Sequence, residues 1–173
     1  MKVHWFGRAL TERAEYAGKE EFVRLFERER TNLQRLALLL TADSEAAKQC
    51  LLRAYQECIA NSSVSNEWIF IWARRVVVRH AIRIVLDIDG QSSSTPNDNT
   101  NNGSIVFIAD VLPHDSLEVE SIVHLPQLDR LVFVLCTLEH YSNHDCALLL
   151  GRSLREISDA RQRVETSARE MSG

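Results

Sequence analysis

The chain has 173 residues, of which 45% are hydrophobic and 25% are charged, a balance typical of a globular protein with enough apolar material for a core. No apolar run approaches the ~20 residues that span a bilayer, and the first residues lack the long apolar stretch of a secretory signal. We therefore expect neither a membrane span nor a signal peptide, and one or two small domains.

The formal net charge of −4 is divided unevenly along the chain. Residues 1–86 hold fourteen Lys and Arg against ten acids, whereas residues 87–173 hold six Arg against fourteen acids. A nucleic-acid-binding protein normally carries positive charge on its binding surface. Only the first half and, locally, the last helix offer such a surface here.

Helical periodicity dominates the first half. Apolar residues recur at three- and four-residue intervals over 19–40, 45–60 and 67–86, with a shorter helix predicted near 8–16. Asp43 or Ser44 can cap the free amides of the second long helix. The pattern predicts one helical bundle.

A polar segment then separates two parts of the chain. Residues 87–104 are rich in Gly, Ser, Asn, Asp and Pro, a composition that predicts a flexible linker. Residues 105–112 are apolar and could form a short strand, although an extended arm on a helical domain fits the surrounding pattern better.

The second half reads as a helix-turn-helix preceded by further helices. Asp115 or Ser116 can cap a short helix that runs to about residue 124, and Pro126 can open a helix over 126–138. Ser142 is placed to cap the next helix, and Gly151 to turn the chain into a final helix rich in arginine. This order of elements is the usual device for laying a helix in the DNA major groove.

A wider resemblance covers residues 21–85 and 117–169. It is carried by Phe22, Leu25, Asp43, Ala47, Leu51, Tyr55, Trp68, Ala73, Arg74 and Arg83, followed by Leu125, Pro126, Arg130, the apolar run 132–135, Glu139, Ser142, Asp145, Ala147, Leu150, Gly151, Ile157 and Arg163. At these positions the chain resembles the extracytoplasmic-function sigma factors of bacterial RNA polymerase.

The resemblance implies an all-α protein of two small helical domains joined by a flexible linker. The expected division is a bundle over 1–86, a linker and extended arm over 87–113, and a helix-turn-helix domain over 114–173. It further implies a cytoplasmic, non-enzymatic transcription initiation protein that binds core RNA polymerase and double-stranded promoter DNA. No cofactor, metal or membrane is expected, and an inhibitory anti-sigma protein is a conceivable partner.

The same resemblance assigns roles to individual residues. Contact with the polymerase falls on Gln49, Leu52, Arg53 and Tyr55. Contact with DNA falls on Arg74, Arg75, Arg79, Arg83, Arg152, Arg155 and Arg163.

Some positions depart from the family pattern. The chain has Gln49 and Leu52 where the family usually has Asp and Gln. It has Glu156, Ser158, Asp159 and Ala160 where the family tends to have Thr, Lys, Ser and Arg. Carboxylates repel phosphates and reduce counterion release, which supplies much of DNA affinity. The alternative hypothesis is therefore a sigma-like protein-interaction or regulatory module that has lost promoter or polymerase binding.

The arginines and tryptophans also admit structural roles. The basic face of helix 67–86 can contact DNA phosphates or simply be solvated. In the last helix, Arg155 and Arg161 precede Asp159 and Glu165 by four residues, the spacing of intrahelical ion pairs. Trp68 and Trp72 lie on a stripe that favours the core over stacking on a base.

No pattern indicates catalysis or metal binding. His140, His144, Asp145 and Cys146 are close in sequence, but a cap at Ser142 would leave His140 outside the helix and remove the geometry of a zinc motif. The four cysteines, at positions 50, 58, 136 and 146, have no CxxC spacing and stand among apolar neighbours. They predict buried, reduced thiols.

Overall fold

The computed structural model describes residues 16–60, 64–86 and 117–170, and within these ranges the regular structure is helical apart from one isolated bridge between Tyr16 and Ser65. The all-α prediction is confirmed. The predicted helix near 8–16, the linker and arm over 87–113, and the caps at Asp115 and Ser116 lie outside the described residues. The helices are α1 (Lys19–Arg28), α2 (Arg30–Thr41), α3 (Ser44–Ala60), α4 (Ile69–Val85), α5 (Leu117–Val123), α6 (Gln127–Phe133), α7 (Asn143–Leu150) and α8 (Leu154–Glu170).

The helix predicted over 19–40 is two helices, because the backbone leaves helical geometry at Glu29 (φ −97°, ψ 13°). The Glu29 carboxylate accepts hydrogen bonds from Arg28 (3.1 Å) and Asn32 (2.9 Å) on either side of the break. Only Glu29 departs from helical geometry, and the helical spacing of apolar residues continues on both sides of it. The hydrophobic pattern therefore does not reveal the break.

Helices α2, α3 and α4 pack against one another as a bundle. The Asp43 carboxylate accepts a hydrogen bond from the Ala46 amide at 2.7 Å, so Asp43 caps α3 as expected. Small residues line the packed face of α3, among them Ala47 and Ala54, both 0% exposed. Short side chains on that face allow α4 to approach closely.

The helix predicted over 126–138 changes type within its length. Pro126 is the N-cap of α6, which ends at Phe133, and residues Val134–Leu138 form a π-helical segment. The wider turn is seen in the hydrogen bond from the Glu139 amide to the Val134 carbonyl, five residues back, at 3.0 Å. Segments of this kind are rare and carry no hydrophobic period of their own, which is why the sequence showed one continuous helix.

The helix-turn-helix is formed as its turn residues predict. Ser142 and Asp145 make a capping box at the start of α7, in which the Asp145 amide donates to the Ser142 hydroxyl at 3.1 Å. Gly151 ends α7 in the left-handed region (φ 61°), where a side chain would be strained. The turn then leads directly into α8.

The two halves of the described chain pack against each other and contribute to one contiguous hydrophobic core. Arg130 is central to this contact, because its side chain is 7% exposed and reaches across to the other half. Its guanidinium donates to the Leu40 carbonyl of α2 (3.5 Å) and, on its own side, to the carbonyls of Val123 (3.3 Å) and Leu125 (3.5 Å). The C-terminal end of α2 is thereby tied to the end of α5.

Gly151→Ala should lower the free energy of unfolding by about 1 kcal/mol, because alanine pays a steric cost at positive φ. No neighbouring atom lies within 4 Å of the added Cβ, so the cost is one of backbone conformation alone. Ala42 ends α2 at φ 55° and provides the reverse test. Ala42→Gly should stabilise by about 0.5 kcal/mol, and urea denaturation that showed the two changes shifting stability in the same direction would contradict this account.

Arg130→Met should lower the free energy of unfolding by roughly 2 kcal/mol, because three carbonyl oxygens lose a charged donor that methionine cannot replace. Arg24→Met, on an exposed ion pair of α1, is the matched control and should change stability by less than about 0.5 kcal/mol. Equal losses in the two variants, measured by urea denaturation, would show that Arg130 does not hold the halves together.

Candidate DNA and protein interface

The first predicted DNA-contact residue, Arg74, is paired with a carboxylate from the other half of the chain. Its Nε donates to Glu139 at 3.0 Å, and its Nη2 donates to the second oxygen of the same carboxylate. The side chain of Glu139 is 6% exposed, and the Arg74 guanidinium also lies 5.4 Å from the ring centre of Phe70. Arg74 thus serves a contact between α4 and the end of the π-helical segment.

Arg79 is held by a second carboxylate, Glu57 of α3, which also accepts a hydrogen bond from His80 Nε2 at 2.9 Å. Burial of the Glu57 carboxyl acts to raise its pKa, but the hydrogen bonds and positive charges of Arg79 and His80 outweigh burial and lower it. Burial lowers the pKa of His80, and the contact with Glu57 only partly offsets this effect. His80 is therefore a neutral hydrogen-bond donor near neutral pH.

Arg75 and Arg83 remain available to solvent. Both side chains are exposed, and in the described ranges no carboxylate lies within ion-pair distance of either one. Of the four arginines predicted on α4, these two keep a free positive charge.

A cleft of about 880 Å³ separates α4 from the chain that leads into α7. It combines exposed apolar side chains, such as Ile71 and Leu148, with guanidinium groups from α4. The basic side of α4 therefore faces the helix-turn-helix half across this cleft. Six of the residues that line it are Ile71, Arg74, Arg75, Glu139, Asp145 and Leu148.

The predicted arginines of the helix-turn-helix also have carboxylate neighbours. Arg163 donates to the buried Asp129 carboxylate of α6 at 3.1 Å and 2.5 Å, which raises the pKa of Arg163. Arg152 lies 3.5 Å from Glu156. The remaining pair, Arg155 with Asp159, is loose, at 3.9 Å with the Arg155 side chain 91% exposed.

Two positions on α8 have roles that the sequence comparison did not foresee. Glu156 accepts hydrogen bonds from the Ser153 amide (2.9 Å) and hydroxyl (2.8 Å), while the Glu156 amide donates back to that hydroxyl. Glu156 thus belongs to a capping box that starts α8. Ala160 is 0% exposed and packs in the core, so it cannot meet DNA. Ser158 and Asp159 are exposed.

The residues predicted to contact the polymerase lie along α3. Gln49 is exposed, and Leu52 and Arg53 are half-buried. Tyr55 packs edge-on against Phe26 of α1, with ring centres 5.3 Å apart. A partner could reach the first three directly, whereas Tyr55 already contributes to packing between α1 and α3.

The core position predicted for Trp68 is wrong, since that side chain is 59% exposed. Trp68 ends a short 3₁₀ turn, Asn66–Trp68, that precedes α4, so it leaves the face on which the helical period would place it. Trp72 is half-buried against the core, as predicted.

Residues 16–60, 64–86 and 117–170 contain no group of three or more His, Cys, Asp or Glu arranged to hold a metal ion. Nor does any helix of these ranges have the length and apolar character to cross a bilayer. His140 precedes the Ser142 cap and lies outside α7, as expected.

Comparison with known proteins gives no assignment: no protein-family model, no curated protein and no solved structure matches this chain.

Sequence reasoning missed the carboxylates that pair with the predicted arginines. Glu57 and Asp129 carry no motif, and the family pattern that includes Glu139 gives it no partner. The acidic excess of residues 87–173 was an available signal for Glu139 alone, because it implies that acids of the second half face arginines of the first. Glu57 and Asp129 pair with arginines of their own halves.

Lowering the pH from 7.5 to 5.5 should reduce the free energy of unfolding, in part through His80. Its pKa is lower in the folded state than the ordinary 6.5, so the unfolded chain binds protons more readily and stability is lost as pH falls below that value. His80→Gln should show a smaller decrease, measured by urea denaturation at each pH. His124→Gln is the control on an exposed histidine, and a pH dependence in His80→Gln as steep as in the wild type would contradict the prediction.

Proposed function

We propose that this chain is a sigma-factor-like transcription protein that binds double-stranded DNA through α8 and core RNA polymerase through α3. The observation that carries the proposal is the helix-turn-helix itself. A capped α7, a left-handed Gly151 and a capped α8 follow one another with a short turn between the helices. Such a unit presents the start of its second helix to the major groove.

The outer face of α8 supports a DNA contact. Ile157, Ala160 and Val164 point into the core at helical spacing, which leaves the opposite face free. Arg155 lies in the first turn of that helix and is almost entirely exposed. A guanidinium in this position can reach a phosphate at little cost, because its pairing with Asp159 is weak.

The solvent-accessible side of α3, on which Gln49 is exposed and Leu52 and Arg53 are half-buried, supports a protein contact. Gln49, Leu52 and Arg53 fall within one and a half turns and combine amide, apolar and cationic groups. A mixed surface of this kind suits a protein partner better than the phosphate backbone.

A second candidate is a protein-interaction module built on the same framework. It is favoured by the ion pairs described above, in which five of the seven predicted DNA-contact arginines face carboxylates of their own chain. To bind phosphates, these arginines would have to give up their carboxylate partners, which reduces the net free energy of DNA binding. In this reading the partner of the chain is a protein alone.

DNA binding can be tested by fluorescence anisotropy with a labelled mixed-sequence duplex over a series of salt concentrations. We expect salt-sensitive binding, and Arg155→Gln should weaken it roughly fivefold and lower the slope of log K against log salt by about 0.9. Asp159→Ser should strengthen binding, because it removes a carboxylate from the same face. Glu156 is unsuitable for this test, since its removal would also remove the cap of α8.

The matched control is Arg24→Gln on α1, an exposed arginine in an intrahelical pair, which should leave binding unchanged. Equal effects of Arg24→Gln and Arg155→Gln would mean that α8 makes no particular contact. Co-purification with core polymerase, and its loss in Leu52→Asp, tests the α3 surface. A folded chain that binds neither DNA nor core polymerase at micromolar concentration supports the interaction module instead.

A further inference from the structure

Two of the four cysteines lie side by side in the second half of the described chain. The sulfur atoms of Cys136 and Cys146 are 3.2 Å apart, although the residues are ten apart in sequence. Cys136 belongs to the π-helical segment and Cys146 to α7. Their contact joins these two elements beside the capped start of the helix-turn-helix.

The geometry is close to that of a crosslink. A disulfide has an S–S distance of about 2.05 Å, so the two sulfur atoms need to approach by only about 1.2 Å. One partner, Cys136, is the central residue of a segment whose hydrogen bonds already deviate from the α-helical pattern. A small shift there breaks no regular helical turn.

The two thiols differ in their access to solvent. Cys136 is half-buried, and its thiol faces the side-chain oxygen of Asn143 at 3.8 Å, which in turn accepts a hydrogen bond from Arg161 at 3.3 Å. Cys146 is completely buried, and burial raises the pKa of its thiol. An oxidant can therefore meet Cys136 first, while Cys146 is held in contact to react with the product.

The other two cysteines provide an internal contrast. Cys50 and Cys58 are both 0% exposed, and burial raises the pKa of each thiol to about 12. The Cys50 thiol donates to the Val77 carbonyl at 3.3 Å instead of contacting a second sulfur. Neither is placed to react with an oxidant or to form a crosslink.

We propose that Cys136 and Cys146 form a dithiol site that a hydroperoxide oxidises to an intramolecular disulfide. The Cys136 thiolate attacks one peroxide oxygen, the O–O bond breaks, and the departing hydroxide takes up the proton that Cys136 released. The Cys146 sulfur then attacks the resulting sulfenic acid, the S–S bond forms, the S–O bond breaks, and water leaves with the proton of Cys146. Two thiols and one hydrogen peroxide thus give one disulfide and two waters.

The crosslink acts on the helix-turn-helix as a whole. It joins the π-helical segment, which follows α6, to α7, and α8 packs against both α6 and α7. Oxidation therefore fixes α7 relative to α6, and these are the two helices against which α8 packs. The two sulfur atoms lie in contact whether the partner of α8 is DNA or a protein.

Peptide mapping of the full-length protein tests the proposal directly. The reduced chain is treated with one equivalent of hydrogen peroxide, alkylated and cut with trypsin. Cys136 and Cys146 share the peptide 131–152, whereas Cys50 and Cys58 fall in two others. We expect the peptide 131–152 to be found without alkyl groups and lighter by two hydrogens than the same peptide with two free thiols. Dithiothreitol should reverse this change. The disulfide should form at least about tenfold faster than Cys50 or Cys58 is modified.

Two variants sharpen the result. Cys136→Ser should abolish the mass loss in that peptide, and Cys58→Ala, the matched control, should leave it unchanged. Added oxygen atoms on Cys136 without a crosslink, chains joined to one another on a non-reducing gel, or equal oxidation of all four cysteines would each overturn the proposal. The wild-type map decides the matter even where a variant fails to fold.

Discussion

The arrangement of the two halves depends on how the carbonyl groups at helix ends are satisfied. The last carbonyls of a helix have no partner within it, and burying them unpaired costs free energy comparable to a lost hydrogen bond. Here the C-terminal ends of α2 and α5 converge on one buried guanidinium, that of Arg130. The negative ends of both helix dipoles also favour a cation at this point. The contact between the halves is thus polar at its centre and apolar around it.

The boundary between the two halves is also where their opposite charges meet. The basic surplus of the first half and the acidic surplus of the second are brought together at Arg74 and Glu139, across the cleft between α4 and α7. Within the bundle, Arg79 is taken up by Glu57, and in the helix-turn-helix Arg163 is taken up by Asp129. Fewer cations are therefore left for an external partner. Arg155 is one of them, because its ion pair with Asp159 is loose and its side chain is the most exposed among the ion-paired arginines.

Much of the fold and part of the candidate site could be predicted from the sequence. Features set by interactions between residues close in sequence were predictable, and those set by contacts between distant residues were not. Asp43, Ser142 and Gly151 act on backbone groups within a few residues, so their effects can be read directly from the sequence. The family pattern places Glu156 on the DNA-facing side of α8, but its carboxylate accepts hydrogen bonds from the amide and hydroxyl of Ser153 at the start of its own helix. The exposure of Trp68 could not be predicted from periodicity, because a 3₁₀ turn changes the angle between successive side chains.

The sequence by itself determined the helical class, the end points of most described helices and the helix-turn-helix, because helix period and capping are local properties of the chain. Only the tertiary structure decided which arginines keep a free charge and which are neutralised by Glu57, Asp129 or Glu139. It also decided that Cys136 and Cys146 touch. Ion pairs and thiol contacts depend on distances of a few ångströms between side chains on different helices, and the packing of those helices sets the distances: within each half for Glu57, Asp129 and the two cysteines, and between the halves for Glu139.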